Sequence, residues 1–129
     1  MALNTNKNGR VRTVNQAAVS TGTEITLYTC PANCKSVASL LYLTNASTGN
    51  AAIQVNFNRA VNGTAPIDNA QMKIMNANTL ATGVSTELLT AGYFVLEAGD
   101  TIKITATGSS TIRVDAMVTV EEFFLPVGG

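Results

Sequence analysis

Apolar and polar side chains alternate through the C-terminal third of the chain. Ile102, Ile104 and Ala106 stand against Thr101, Lys103 and Thr105. After Gly108-Ser109-Ser110, Ile112, Val114, Ala116, Val118 and Val120 stand against Thr111, Arg113, Asp115, Thr119 and Glu121. A period of two with β-branched residues on one side predicts half-buried antiparallel strands. Upstream, Phe94 and Leu96 oppose Tyr93, Val95 and Glu97, and Ala98-Gly99-Asp100 turns the chain, with Gly99 supplying the freedom of a tight corner. The expectation is a meander of three consecutive strands whose apolar face the rest of the chain covers.

Earlier segments follow the same logic. Residues 1–10 are polar and lack periodic apolar positions, which predicts a flexible N-terminal arm ahead of a β-sandwich domain over 11–122 and a C-terminal tail over 123–129. Val11, Thr13 and Asn15 alternating with Arg12, Val14 and Gln16 predict a first strand at an edge. Ile25 and Leu27 against Thr26 and Tyr28 predict a second, ended at Pro31, which cannot donate to a ladder. Val37 to Thr44 is apolar on both faces and reads as a central strand covered on two sides. Ile53, Val55 and Phe57 alternate cleanly with Gln54, Asn56 and Asn58. Residues 59–69 form the longest loop. Further strands are expected over 71–76, with a short helix near 70–76 as the alternative, and over 84–89. About eight short strands with Gly, Pro and Asn turns predict an all-β antiparallel sandwich, jelly-roll-like, with a β-ribbon or Greek-key barrel left open.

Composition narrows the partners. The chain of 129 residues has room for one domain. It is 46% hydrophobic and only 12% charged, against a usual charged share of about a quarter. Eight basic and eight acidic residues cancel, so no positive field recruits nucleic acid. No apolar run reaches the roughly 18 residues of a membrane helix, and the N-terminus lacks a signal-peptide segment, so the expectation is a product made in the cytoplasm, without membrane or nucleic-acid partners.

Candidate chemistry is sparse. Histidine is absent and only two cysteines occur, too few for a zinc site within one chain. Cys30 and Cys34 read as reduced thiols beside a turn, with a short-loop disulfide as the alternative. Glu121 and Glu122 point to opposite faces of a strand, and Glu97 and Asp100 read as solvated charges at a turn, so no carboxylate pair suits acid-base catalysis. The glycines are scattered rather than gathered into a phosphate cradle. The sequons at Asn45 and Asn62 are what a chain rich in Asn and Thr contains by chance. The expectation is no enzyme, no cofactor and no metal. What remains concerns assembly: a polar arm, an apolar tail, a two-faced strand and a weakly charged surface.

The run Leu27-Tyr28-Thr29-Cys30-Pro31-Ala32-Asn33-Cys34-Lys35-Ser36-Val37, then Leu41 to Ser47, Phe57, Leu96-Glu97-Ala98-Gly99-Asp100-Thr101-Ile102 and a closing Glu121 resembles a group of small tailed-bacteriophage virion structural proteins. The departures are Cys30, where the group commonly has valine, and Cys34, where it has a small or polar residue. The resemblance implies a capsid decoration or cement protein on the virion surface, a homotrimer that binds the major capsid protein. The alternative is a tail, baseplate or head-fibre component with a receptor- or glycan-binding role. It implies assembly contacts through the two ends and one strand face, for which the candidates are Lys7, Arg10, Arg12, Leu40, Tyr42, Phe123, Phe124 and Leu125.

Overall fold

The computed structural model describes residues 9–19, 22–60, 71–90, 92–108 and 111–124, with the backbone alone for 15–19 and 71. The strands are β1 (Gly9–Val19), β2 (Ile25–Thr29), β3 (Cys34–Asn45), β4 (Ala51–Asn58), β5 (Gln71–Leu80), β6 (Ser85–Glu87), β7 (Phe94–Leu96), β8 (Thr101–Thr107) and β9 (Val114–Phe124). They form two antiparallel sheets. The first runs β1-β9-β3-β6, with β7 also on β3, and the second runs β2-β8-β4-β5. Leu41, Leu43, Val118 and Val120 from the first sheet and Ile53, Val55, Ile102 and Ile104 from the second are buried together in one core. The protein is a β-sandwich.

Both β6 and β7 lie along the same edge of β3, β6 against Tyr42 to Thr44 and β7 against Ser36 to Ala38. They amount to one interrupted strand, which gives, among the described residues, eight strands in two sheets of four. In that count the chain changes sheet at every connection except the β4–β5 hairpin, the wrapping of a jelly roll.

The expected meander is not formed. β7 and β9 belong to the first sheet and β8 to the second, because alternation reports which face a residue points to and not which strand it pairs with. The corner after β7 is what sends the chain across. The Gly99 N–H donates to the Cys30 carbonyl and the Cys30 N–H to the Asp100 carbonyl, both at 2.9 Å, which pins this corner to the one between β2 and β3. Gly99 is required twice over. Its φ is +88°, and a Cβ there would stand 2.9 Å from that of Ala60.

Other expectations are met or corrected at particular residues. β1 is an edge strand and β3 is central. Residues 71–76 are strand, not helix. Tyr28 points into the core rather than away from it, since the β2–β8 register slips between Thr26 and Tyr28 and a bulge places two successive residues on the same side. Arg10, read as arm, and Phe123 and Phe124, read as tail, lie within the ladder, where Gly9 pairs with Phe123 and Arg10 with Glu122. A Cβ on Gly9 would meet the Glu122 carbonyl oxygen at 2.6 Å, so this close approach needs glycine.

Candidate assembly surface

The alternation of β9 carries past Val118 and Val120 to Glu122, which therefore points inward and is 0% exposed. Directly paired residues share a face, so Arg10 of β1 and Ser36 of β3, both opposite Glu122, point inward with it. Arg10 Nε donates to Glu122 Oε1 at 2.7 Å, and Arg12 Nη1 donates to Oε2 at 3.1 Å. The Tyr28 hydroxyl, brought inward by the bulge, donates to Oε2 at 2.5 Å. Tyr28 has a single hydroxyl hydrogen, so in the 2.7 Å contact with Ser36 it is Ser36 that donates. The Cys30 thiol, 3.2 Å from Ser36 Oγ, completes the relay. Four strands thus converge on one buried carboxylate.

Burial alone would raise the pKa of Glu122. The hydrogen bonds from Tyr28 and Arg10 and the charges of Arg12 and Arg10 outweigh it and hold the carboxyl below its ordinary value. The carboxylate in turn raises Arg10, chiefly through their hydrogen bond. Burial, then the bond to Glu122, pushes the Tyr28 phenol well above its usual range. Burial also raises Cys30, which keeps it a thiol rather than a reactive thiolate. With Oε1 and Oε2 both occupied, Glu122 is a fastener for strands rather than a proton carrier facing a cleft.

A second buried carboxylate sits at the β7–β8 corner. Asp100, expected as a solvated charge, is 0% exposed. Its Oδ1 accepts the Ala60 N–H at 2.7 Å and its Oδ2 the Glu97 N–H at 2.8 Å, with Arg59 Nη1 at 3.5 Å from Oδ2. Only Glu97 matches the expectation of an exposed charge, 3.8 Å from Lys35. Asn45 is buried too. Its Nδ2 donates to the Gly49 carbonyl at 3.0 Å and the Leu80 carbonyl at 2.7 Å, so this sequon nitrogen is structural.

The sequence-predicted residues divide between two places. Arg10, Arg12, Phe124, Cys30 and Cys34 gather at the Glu122 end of the sandwich, where the Arg10 guanidinium lies 5.5 Å from the Phe124 ring centroid. Cys30 and Cys34 are both buried and free, so the candidate bridge is not formed. Leu40, Tyr42 and Phe123 lie instead on the outer face of the first sheet. Lys7, Leu125 and the Asn62 sequon lie outside the described residues.

On that outer face, register gives the layout. Val11, Glu121, Val37 and Val95 form one row across β1, β9, β3 and β7; Thr13, Thr119 and Leu40 form the next, and Met117, Tyr42 and Glu87 another. Val11 is 70% exposed, Phe123 40% and Met117 38%, and Leu40, Tyr42, Val37 and Val95 are half-buried. The outer face of the second sheet is chemically different. Its rows read Thr26, Lys103, Asn56 and Lys73, then Thr29, Thr101 and Asn58, all hydroxyls, amides and ammonium groups. An open groove of about 420 Å3 lined by Phe57, Arg59, Met72, Ile74, Phe94 and Val95 runs along the far margin. Within it Phe57 and Phe94 meet edge to face at 5.4 Å, and Arg59 lies 5.1 Å from the Phe57 centroid.

Sequence reasoning missed Glu122, Tyr28, Ser36 and Asp100. For Glu122 the signal was present: it continues the inward series from Val114 to Val120, and Arg10 and Arg12 have the spacing of two that puts both on one strand face. For Tyr28 no signal existed, because a bulge leaves no mark in the alternation.

No protein-family model matches the chain, and no curated protein does. Solved structures with a similar outline include a Bacillus endospore appendage pilus protein (17% identity, 93% of this chain and 91% of that one, TM-score 0.47). Another is VP2 of infectious bursal disease virus (15% identity, 90% of this chain but only 33% of that one, TM-score 0.48). A third is a cyanophage Pam1 capsid chain (12% identity, 92% and 86% covered, TM-score 0.37). Likenesses this distant do not carry function across.

Proposed function

We propose that this chain is a structural subunit of a virus particle, a decoration or cement protein that binds major capsid subunits and copies of itself, with a homotrimer as its working form. One observation carries the reading: the outer face of the first sheet leaves Val11, Met117 and Phe123 exposed beside half-buried Leu40 and Tyr42, apolar area of the kind that marks protein contacts. The jelly roll supports it only as a framework, since the same wrapping serves capsids, lectins and cupins. A metal-binding cupin would need histidines this sequence does not have. On this reading the chain is no enzyme, the two buried carboxylates among the described residues being taken up by structural partners. Many weak contacts repeated over a shell add up by multivalency.

The test is co-sedimentation of purified protein with capsid shells of its own virus, alongside light scattering of the free protein. Stoichiometric binding and a trimeric mass are expected. The triple variant Val11→Asp, Met117→Lys, Phe123→Ser changes only exposed side chains, so its unfolding midpoint should stay within about 3 °C while shell binding drops at least tenfold. A monomer that ignores the shells overturns the reading, and a glycan-array hit from such a monomer transfers it to the tail or fibre class.

A further inference from the structure

Strand β1 is attached by different means from the other long strands. Among the described residues it is the edge of the first sheet, paired on one side only, from Gly9 opposite Phe123 to Val19 opposite Val114. Of its described inward side chains, Arg10 and Arg12 are ionic and Val14 alone packs against the core. The acceptor they fill is built without it. Glu122 comes from β9, Tyr28 from β2 and Ser36 from β3, each buried, and Tyr28 fixes the carboxylate while Ser36 fixes Tyr28. The Arg10 and Arg12 side chains are 53% and 40% exposed, so both keep part of their hydration while they hold the carboxylate.

Three strands therefore hold the anion, and a fourth, whose described inward side chains are two arginines and Val14, supplies its cations. When such a strand leaves, the ladder and ion pairs it breaks are the same ones that an identical strand from another molecule remakes. Charge decides the occupant. Beneath the seated strand the carboxylate has no exposure, so an occupant without cations would bury a lone charge, and two arginines spaced two apart on an extended strand satisfy both of its oxygens. A chain of zero net charge brings no repulsion to the encounter of two copies.

We propose that β1 is exchanged between copies, Arg10 and Arg12 of one chain filling the Glu122 socket of its neighbour. The exchange builds on the assembly reading by naming a second copy as partner and β1 as the link. It stands or falls separately, because its test uses no shell.

Thr13 and Thr119 pair directly across β1 and β9, with their hydroxyl oxygens 3.0 Å apart, close enough for a cross-strand disulfide once both are cysteine. A Thr13→Cys chain and a Thr119→Cys chain carrying different tags are co-expressed, purified together and treated with oxidised glutathione. Exchange predicts a reducible cross-link joining the two tags, at least tenfold above that from Thr13→Cys with Asp115→Cys, a partner on the same strand face but out of register. Adding Glu122→Gln to the Thr119→Cys chain, or Arg10→Gln with Arg12→Gln to the Thr13→Cys chain, should lower the yield at least fivefold. A cross-link no stronger than the out-of-register control overturns the proposal. The single chain bearing both Thr13→Cys and Thr119→Cys, bridged at monomer mass, would then show that the strand stays at home.

Discussion

Glu122 and Asp100 are both carboxylates with no exposed surface, both face arginine, and they hold the sandwich in different ways. Asp100 draws on main-chain N–H groups of Ala60 and Glu97, and so fixes the path of the backbone at a corner. Glu122 draws on side chains, and its arginine partners stand 112 and 110 residues away in sequence. A carboxylate that takes amides locks a turn. One that takes guanidiniums from an edge strand makes a joint between two ends of a chain, which can come apart and reform. The first is a rivet and the second a clasp.

The sharpest way to break this distinction is Asp100→Ala. It removes the charged acceptor of two part-buried amides, and hydrogen bonds to charged groups are worth about 1.5–3 kcal/mol each. The expected loss is about 4 kcal/mol, seen as a fall in the calorimetric midpoint of roughly 15 °C for a domain of this size. Asp100→Asn retains an oxygen and should lose about half as much. A fall smaller than that of Glu122→Gln would reverse the ranking and with it the claim that the corner is the more rigid element.

How far each device could be read beforehand follows from its physics. Strands, the central place of β3 and the edge place of β1 were legible because alternation and two-faced apolarity report burial directly. Sheet membership was not. Phe94 to Leu96 and Ile102 to Ala106 alternate as well as any hairpin, yet they lie in opposite sheets because Asp100 and Gly99 tie their corner to Cys30. That tie joins residues far apart in sequence and leaves no periodic trace. Leu40 and Tyr42 were legible as strand residues, Phe123 was read as tail and instead pairs with Gly9 in the ladder, and the grouping of Arg10 and Arg12 with Tyr28 depended on a one-residue slip in β2.

Glu122→Gln probes the clasp. The amide keeps the shape and one acceptor for Tyr28 but loses the charge that answers Arg10 and Arg12, at an expected cost of about 2 kcal/mol near pH 7. The sign with pH is fixed by the direction of the shift. Because the folded carboxyl titrates below its ordinary value, its contribution is complete above the unfolded value of about 4.3 and is lost as pH falls through the folded one. Urea midpoints from pH 7 down to 2 should show wild type and variant converging below about pH 4.3. A gap that stays constant down to pH 2 would mean that the ionisation of Glu122 adds nothing to the joint, and the clasp would then not be ionic.

The smallest expected effect separates the clasp from its support. Tyr28→Phe removes the hydroxyl that fixes the carboxylate but leaves both arginines in place, for about 1 kcal/mol at pH 7. Here the shift runs upward, with burial as its first cause and the Glu122 hydrogen bond as its second. The neutral phenol therefore stabilises the fold fully below its unfolded value of about 10, and that contribution fades as pH rises beyond it. Cys30, also raised by burial from an ordinary 9.0, adds an alkaline loss of its own, but wild type and variant share it and it cancels in their difference. The gap between the two urea midpoints should accordingly narrow between pH 9 and 11. A gap that widens would mean the phenolate is tolerated beside Glu122, and then the carboxylate is held by the arginines alone and the socket is not preset before β1 arrives.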